Sequence, residues 1–435
     1  MARFTIGLLL CVLLALPIPI QAQVLPIVPV DPGVRGGGAD AGGPIPGLSP
    51  DEQRFFDSSS DTFAEVDGVD EGLGPRFNLD GCAGCHAQPA TGGTSPAVNP
   101  QIAAATKNGA HNSIPFFISQ NGPVREARFK SDGGVHDLFV ITGRDDAPPA
   151  CAIVQPNFAA AAAANDLIFR IPTPVFGAGL IEAINDSAIR ANAKADSDQK
   201  NANGISGHPN TEGNAGTITR FGWKAQNKSL QIFSGEAYNV EQGVTNELFQ
   251  QEREEDPACA TNGLPEDHTH FDAVTQTDVP ADAVQFSVFM RFLDAPRPRA
   301  SDPVQQVLVD SGKASFIKVG CALCHTPQLK TGLSSSAALN QKPVNLYSDL
   351  LVHRMGTGLA DGITQGGAGP DEFRSAPLWG VGQRRFFLHD GRTSDLVQAI
   401  RAHSSPGSEA NTVIARFNSS LPTDQQNILL FLRSL

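Results

Sequence analysis

Two five-residue runs, Cys82-Ala-Gly-Cys85-His86 and Cys321-Ala-Leu-Cys324-His325, share the pattern C-x-x-C-H. With 7 Cys and 10 His in 435 residues, random placement would yield only ~0.003 such matches. The spacing has a chemical use. Two thiols one helical turn apart can add to the two vinyl groups of a haem, and the adjacent imidazole then reaches the iron as an axial ligand. Zinc fits less well, because the motifs fall in different predicted domains and each already carries its own histidine. A dithiol redox site explains neither the histidines nor the duplication. The expectation is two covalently bound c-type haems, one on Cys82, Cys85 and His86, the other on Cys321, Cys324 and His325.

What lies on the far side of each iron decides the chemistry. A haem gripped by two strong protein ligands passes electrons, whereas one with an open position can bind peroxide or oxygen. The motifs leave His111, His136, His208, His353, His389 and His403 without a role, and His268 and His270 lie in a polar acidic stretch. His403 is the most informative. Ser394-Asp395 reads as a helix start, after which Leu396, Ile400 and His403 follow at i, i+4 and i+7 along one apolar stripe. His403 is therefore the expected second ligand of the C-terminal iron, with Met355 as its rival. His111 is the nearest candidate downstream of His86. Cys11 falls in an export signal. The leftover pair Cys151 and Cys259 is expected to form a disulfide in an oxidising compartment, two free thiols being the alternative.

Particular elements must carry these groups. Ser49-Pro50-Asp51-Glu52 combines an N-cap serine, a proline at the first helical position and first-turn acids, which predicts a helix with Phe55, Phe56 and Phe63 on its buried face. Ala283–Leu293 and Gln425–Leu435 read as matching amphipathic helices, each ending in a Phe/Leu cluster and each closing a domain. In the second, Thr423 and Gln426 form a capping box, and Ile428, Leu432 and Leu435 a buried stripe. The proline-punctuated segment from Ala295 to Pro303 cannot continue a helix and marks a boundary. The predicted organisation is a signal peptide at 1–22, a flexible linker at 23–48, an N-terminal cytochrome c-like haem domain at 49–294 and a C-terminal one at 302–435. The first carries a large loop-rich insertion, placed within 130–280. The fold class is mainly α.

Lys+Arg 32 against Asp+Glu 45 leaves a formal charge of −13, which speaks against a nucleic-acid or anionic-membrane binder and suits a cationic partner. Arg3, the apolar run from Phe4 to Leu16 and the Pro17/Pro19 break have the layout of a secretory signal cleaved after Ala22. That run is shorter than the ~20 residues needed to span a bilayer. The protein is expected to be periplasmic or otherwise exported, without membrane insertion.

Three segments then carry a resemblance. Gly72-Leu-Gly-Pro-Arg-Phe-Asn-Leu-Asp-Gly-Cys82-Ala-Gly-Cys85-His86-Ala-Gln-Pro, Arg170-Ile-Pro-Thr-Pro-Val-Phe-Gly-Ala-Gly-Leu-Ile-Glu182-Ala-Ile, and Leu378-Trp-Gly-Val-Gly with Phe387-Leu-His389-Asp-Gly-Arg392 are similar to the di-haem oxidoreductase family. That family is related to bacterial di-haem cytochrome c peroxidases and MauG-type enzymes. The resemblance implies a peroxidatic N-terminal haem and an electron-transfer C-terminal haem. It places a ligand of the latter on His403, where the peroxidases have methionine, and histidine there would lower the potential. A clear counterpart of the histidine that caps the first haem in resting peroxidases is missing, which implies a site open without activation.

Glu182 sits in a Pro/Gly-framed apolar segment, where burial would raise its pKa and suit it to proton transfer; a helix-capping or Arg-pairing role is the alternative. Trp223 and Trp379 are the two tryptophans, and one could relay electrons between haems, with core packing as the alternative. The expected function is that of an exported di-haem c-type cytochrome with peroxidase-like activity. Hydrogen peroxide would be reduced at the N-terminal haem, with electrons passing through the C-terminal haem from a small basic cytochrome c or cupredoxin. The alternatives are a pure electron-transfer di-haem cytochrome and an O2-dependent di-haem oxygenase. A calcium ion between the domains is not encoded in these motifs.

Overall fold

The computed structural model describes residues 28–133, 138–252, 256–300 and 302–435. The predicted signal peptide, with Cys11, and His136 lie outside the described residues. Among the described residues there are thirteen α-helices and five two-stranded antiparallel ribbons, so the chain is mainly α with little sheet. No helix among them is long and apolar enough to cross a membrane.

One packing idea is used twice. In the first half, helix Pro50–Ala64 lies against helix Asp282–Phe292. Ser49 and Glu52 form a capping box, each side chain accepting the other's backbone N–H, and Pro50 opens the helix. These contacts satisfy N–H groups that the helix itself leaves without partners. Phe56 and Phe63 are buried as expected, but Phe55 is 38% exposed, because successive residues are rotated by about 100° around a helix and Phe55 falls off the shared face. Phe63 stacks on Phe289 at 4.4 Å and meets the His86 ring edge-on at 6.1 Å between centroids. In the second half, helix Pro303–Val319 packs on helix Pro422–Ser434. Here Phe316 takes the corresponding place, 5.4 Å from Phe431 and 6.4 Å from His325. The two backbones approach so closely that a Cβ at Gly312 would lie 1.9 Å from the Asn427 carbonyl oxygen, so only glycine fits.

Ile428, Leu432 and Leu435 form the expected buried stripe. The capping box at Thr423 and Gln426 does not form. Leu421 is the N-cap and Pro422 opens the helix, proline being preset for the first helical position and lacking the N–H that would need a partner. The Gln426 side chain instead bonds the backbone N–H and C=O of Val30, at 2.9 and 3.0 Å.

Among the described residues, no helix or strand lies between helix Asp282–Phe292 and helix Pro303–Val319, where the boundary was expected. The cores nevertheless interleave. Leu339, Leu346, Leu350 and Trp379 belong to the cluster built around Phe63 and Phe289, while Ile205 packs in the C-terminal cluster. A third cluster, with Phe77, Phe117, Phe139 and Phe158, reaches back well before residue 130. It contains the Cys151–Cys259 disulfide, which spans 108 residues.

Residues 28–48 depart from the expected flexible linker. They form a strap across both units: the Ile45 N–H donates to the Phe292 carbonyl and its side chain packs in the cluster around Phe63 and Phe289, while the Asp31 carboxylate accepts bonds from Arg433 at 2.8 and 2.6 Å and from the Leu396 N–H at 2.7 Å. The Arg35 N–H donates to the Gly382 carbonyl at 2.8 Å. An extended Pro/Gly-rich segment makes no internal backbone bonds, so its polar groups are available to such neighbours.

Candidate functional site

The first motif is a single helical turn, Cys82–Cys85, which ends at His86. His86 Nδ1 lies 2.9 Å from the Gly93 carbonyl oxygen. A carbonyl only accepts, so Nδ1 carries the proton and Nε2 keeps its lone pair. Burial holds the pKa of this ring below the ordinary histidine value, which favours the neutral ligand form. Gly93 is needed for the loop, since a Cβ there would fall 1.9 Å from the Gln88 carbonyl oxygen.

Cys82, Cys85 and His86 line a cavity with about 990 Å3 of empty space, part of it continuous with solvent. Its wall carries a carboxylate–guanidinium cluster. Glu126 Oε2 accepts from Arg128 Nε at 3.1 Å and from Nη2 at 2.7 Å. Glu241 lies 3.9 Å from Arg128 and accepts from Asn78 Nδ2 at 2.9 Å. Burial raises the Glu241 pKa despite the opposing pull of Arg128. Glu241 rides on a π-helical turn, Tyr238–Gln242, that continues helix Leu230–Ala237; such distortions are frequent at functional sites.

The second motif faces a larger cavity, about 1420 Å3 with its solvent-open part, and two histidines on that wall share the arrangement of His86. His325 Nδ1 donates to the Tyr347 carbonyl at 3.0 Å and His403 Nδ1 to the Ala399 carbonyl at 2.8 Å. Both therefore keep Nε2 bare. Burial, reinforced by the nearby His403, pushes His325 down to about 4, and burial also lowers His403. His403 caps the C-terminus of helix Leu396–Ala402, whose start is capped by the Asp395 side chain. Leu396 and Ile400 line the cavity with it, as the stripe predicted, and Met355 is on the same wall. His353 also lines this cavity, but both its ring nitrogens are engaged, by Asp349 at 3.0 Å and Glu409 at 2.9 Å.

Glu182 lines neither cavity and takes the Arg-paired, helix-holding arrangement that was the alternative to a proton-transfer role. Its Oε1 accepts the Leu230 N–H and its Oε2 accepts Arg291 Nε, both at 2.9 Å, so the carboxylate holds a helix start and a neighbouring helix together. The carboxylates on the first cavity wall are Glu126 and Glu241. The sequence carried one faint signal for the first of them. Glu126 and Arg128 are two apart in a strand, hence on one face. His111 is exposed and lines neither cavity. His268 and His270 are exposed, and His208 contacts Glu372 at 3.2 Å away from the motifs. Trp379 is core. Trp223 lines both cavities, with its indole Nε1 donating to the Ile171 carbonyl at 2.9 Å.

Two thiols one turn apart, a neutral, half-buried imidazole with a bare Nε2, and an enclosing cavity are the donor set of a c-type haem. Both motifs present it. Among the described residues no group of three or more His, Cys, Asp and Glu is arranged to hold a metal ion alone.

Residues 136–435 match the family model described as "Di-haem oxidoreductase, putative peroxidase". That span holds the second motif, Trp223, Glu241 and His403, and the first motif precedes it. The comparison with curated proteins finds no match. Among solved structures, Kuenenia stuttgartiensis hydrazine synthase pressurised with 20 bar xenon is similar at 18% identity and a TM-score of 0.24. The likeness covers 36% of this chain and 56% of that one.

Proposed function

Because the chain belongs to the di-haem oxidoreductase family, we propose that it reduces hydrogen peroxide at its first motif with electrons passed through its second. Cys82, Cys85 and His86 would hold one c-type haem, and Cys321, Cys324, His325 and His403 the other. One observation carries this reading: the second cavity brings together two histidines that each donate through Nδ1 to a backbone carbonyl and keep Nε2 bare, whereas the first cavity has one such histidine and is also lined by Glu126, Arg128 and Glu241. The haem iron, when bound, supplies a site for peroxide oxygen at the first motif and a one-electron carrier at the second.

The chain's own residues do the rest. His86 holds one face of its site, its orientation fixed by Gly93. Glu241 is placed to hold a proton and deliver it to the departing oxygen, and the Glu126–Arg128 pair anchors the wall beside it. In the overall reaction, peroxide takes two electrons and two protons and leaves as two waters. His325 and His403, each with Nδ1 engaged by a backbone carbonyl, would both hold the iron of the second haem and so leave it to carry electrons. Trp223, with a face on each cavity, is the proposed electron relay. A small basic cytochrome c or cupredoxin suits the charge of −13 as electron donor, and the N-terminal signal layout supports export to the periplasm.

Electron paramagnetic resonance of the ferric protein, before and after stoichiometric peroxide, tests the reading. The expected result is one high-spin signal that peroxide removes, beside one low-spin signal. Two low-spin signals indifferent to peroxide would leave only an electron carrier, and product formation driven by O2 without peroxide would favour an oxygenase.

A further inference from the structure

Arg374 and Arg384 raise a charge problem that the protein alone does not solve. Arg384 is 8% exposed and its guanidinium has no hydrogen-bond or ion-pair partner among the described residues. Arg374, half-buried, donates through Nε to the Gly222 carbonyl at 3.1 Å and has no carboxylate partner among the described residues. Both line the second cavity, and both also line a smaller void beside Trp223. Burial holds each at about 10, below the ordinary guanidinium value, and for Arg374 the neighbouring Arg384 adds to the effect. The carboxylate on that wall, Glu409, is already taken by His353 and by the backbone and hydroxyl of Ser206. The first cavity shows the contrast, since there Arg128 is paired with Glu126 and Arg170 with Asp361. A charge drawn out of water without a counterion is strongly unfavourable, so these two neighbouring guanidiniums, one buried and one half-buried, call for anions.

We propose that Arg374 and Arg384 form a dicarboxylate anchor, taking the two propionate groups of the haem held by Cys321 and Cys324. The number of charges matches, two cations for two carboxylates, and the guanidinium fork suits bidentate carboxylate bonding. The anchor rests on the proposed haem attachment.

The test uses the haem-loaded protein as purified, with 13C in the haem carboxylates, and reads redox-difference infrared spectra and the reduction potential of the second haem. Arg384→Met is expected to shift the labelled carboxylate bands and to lower the potential by at least about tenfold in the reduction equilibrium, or 59 mV for one electron. Arg384→Lys should largely restore both, and Arg374→Met should act in the same direction as Arg384→Met. Labelled bands unchanged in both methionine variants, in protein that retains two haems, would overturn the anchor. Loss of covalent haem assignment itself would appear differently, as wild-type protein lacking haem bound at Cys321 and Cys324.

Discussion

The indole of Trp223 stands edge-on to the imidazole of His389, 6.4 Å away between ring centroids, and that imidazole stacks on Phe373 at 4.3 Å. Behind Phe373 the Lys224 ammonium lies 4.1 Å from the ring centroid and 3.1 Å from Asp361. Trp223 is thus held between the cavities by packed rings and a buried ion pair. Trp223→Leu is expected to leave both ferric spectra unchanged while slowing electron passage between the haems about tenfold or more, some 1.4 kcal/mol on the barrier. Rapid-mixing spectroscopy after one equivalent of peroxide measures this, and an unaltered rate would move the relay elsewhere.

Glu241 and Glu182 separate chemistry from architecture. Glu241→Gln should lower kcat/KM for peroxide by about 100-fold or more, the usual scale for losing a general acid. Glu182→Gln keeps an acceptor for the Leu230 N–H but loses the charge facing Arg291. It should cost about 1 kcal/mol of stability, with peroxide turnover per folded molecule unchanged. The reverse pattern would return the proton-transfer role to Glu182.

Replacing His403 probes the second site directly. His403→Ala is expected to convert the low-spin ferric signal of the C-terminal haem to high-spin, and His403→Met to keep it low-spin with a raised potential. A spectrum unaffected by His403→Ala would pass the ligand to Met355, which lies on the same wall.

Acid should weaken the protein through Glu409. Burial works against its ionisation, but bonding to His353 and to Ser206 holds its pKa down to about 2. Because the folded value is depressed, the contribution is complete above the ordinary glutamate range and is lost as pH falls from about 4.5 towards 2. Its size is on the order of 3 kcal/mol, from the shift at 1.36 kcal/mol per pH unit. Glu409→Gln should therefore lower the Tm at pH 7 and flatten the stability curve across that acid window. Parallel curves for variant and wild type would show that the pairing contributes nothing.

The groups proposed to hold the haems were legible in the chain itself, because their chemistry is local. A C-x-x-C-H run needs only one helical turn to work, and the stripe Leu396, Ile400, His403 needs only a helical period. The helix start at Ser49 and the Cys151–Cys259 bridge followed from short-range capping chemistry and from cysteine parity. Folding in three dimensions decided which charges meet. Glu182 looked catalytic in its apolar frame, yet Arg291, over a hundred positions away in sequence, claims it. Glu126 and Glu241 share a cavity wall although 115 positions separate their numbers, 126 and 241. The strap at 28–48 looked free because its composition cannot build a core, but Arg433 at the opposite end of the chain supplies its partner. Pairing between charges far apart in sequence depends on distance in space rather than along the chain, so periodicity and capping patterns do not say which partners meet.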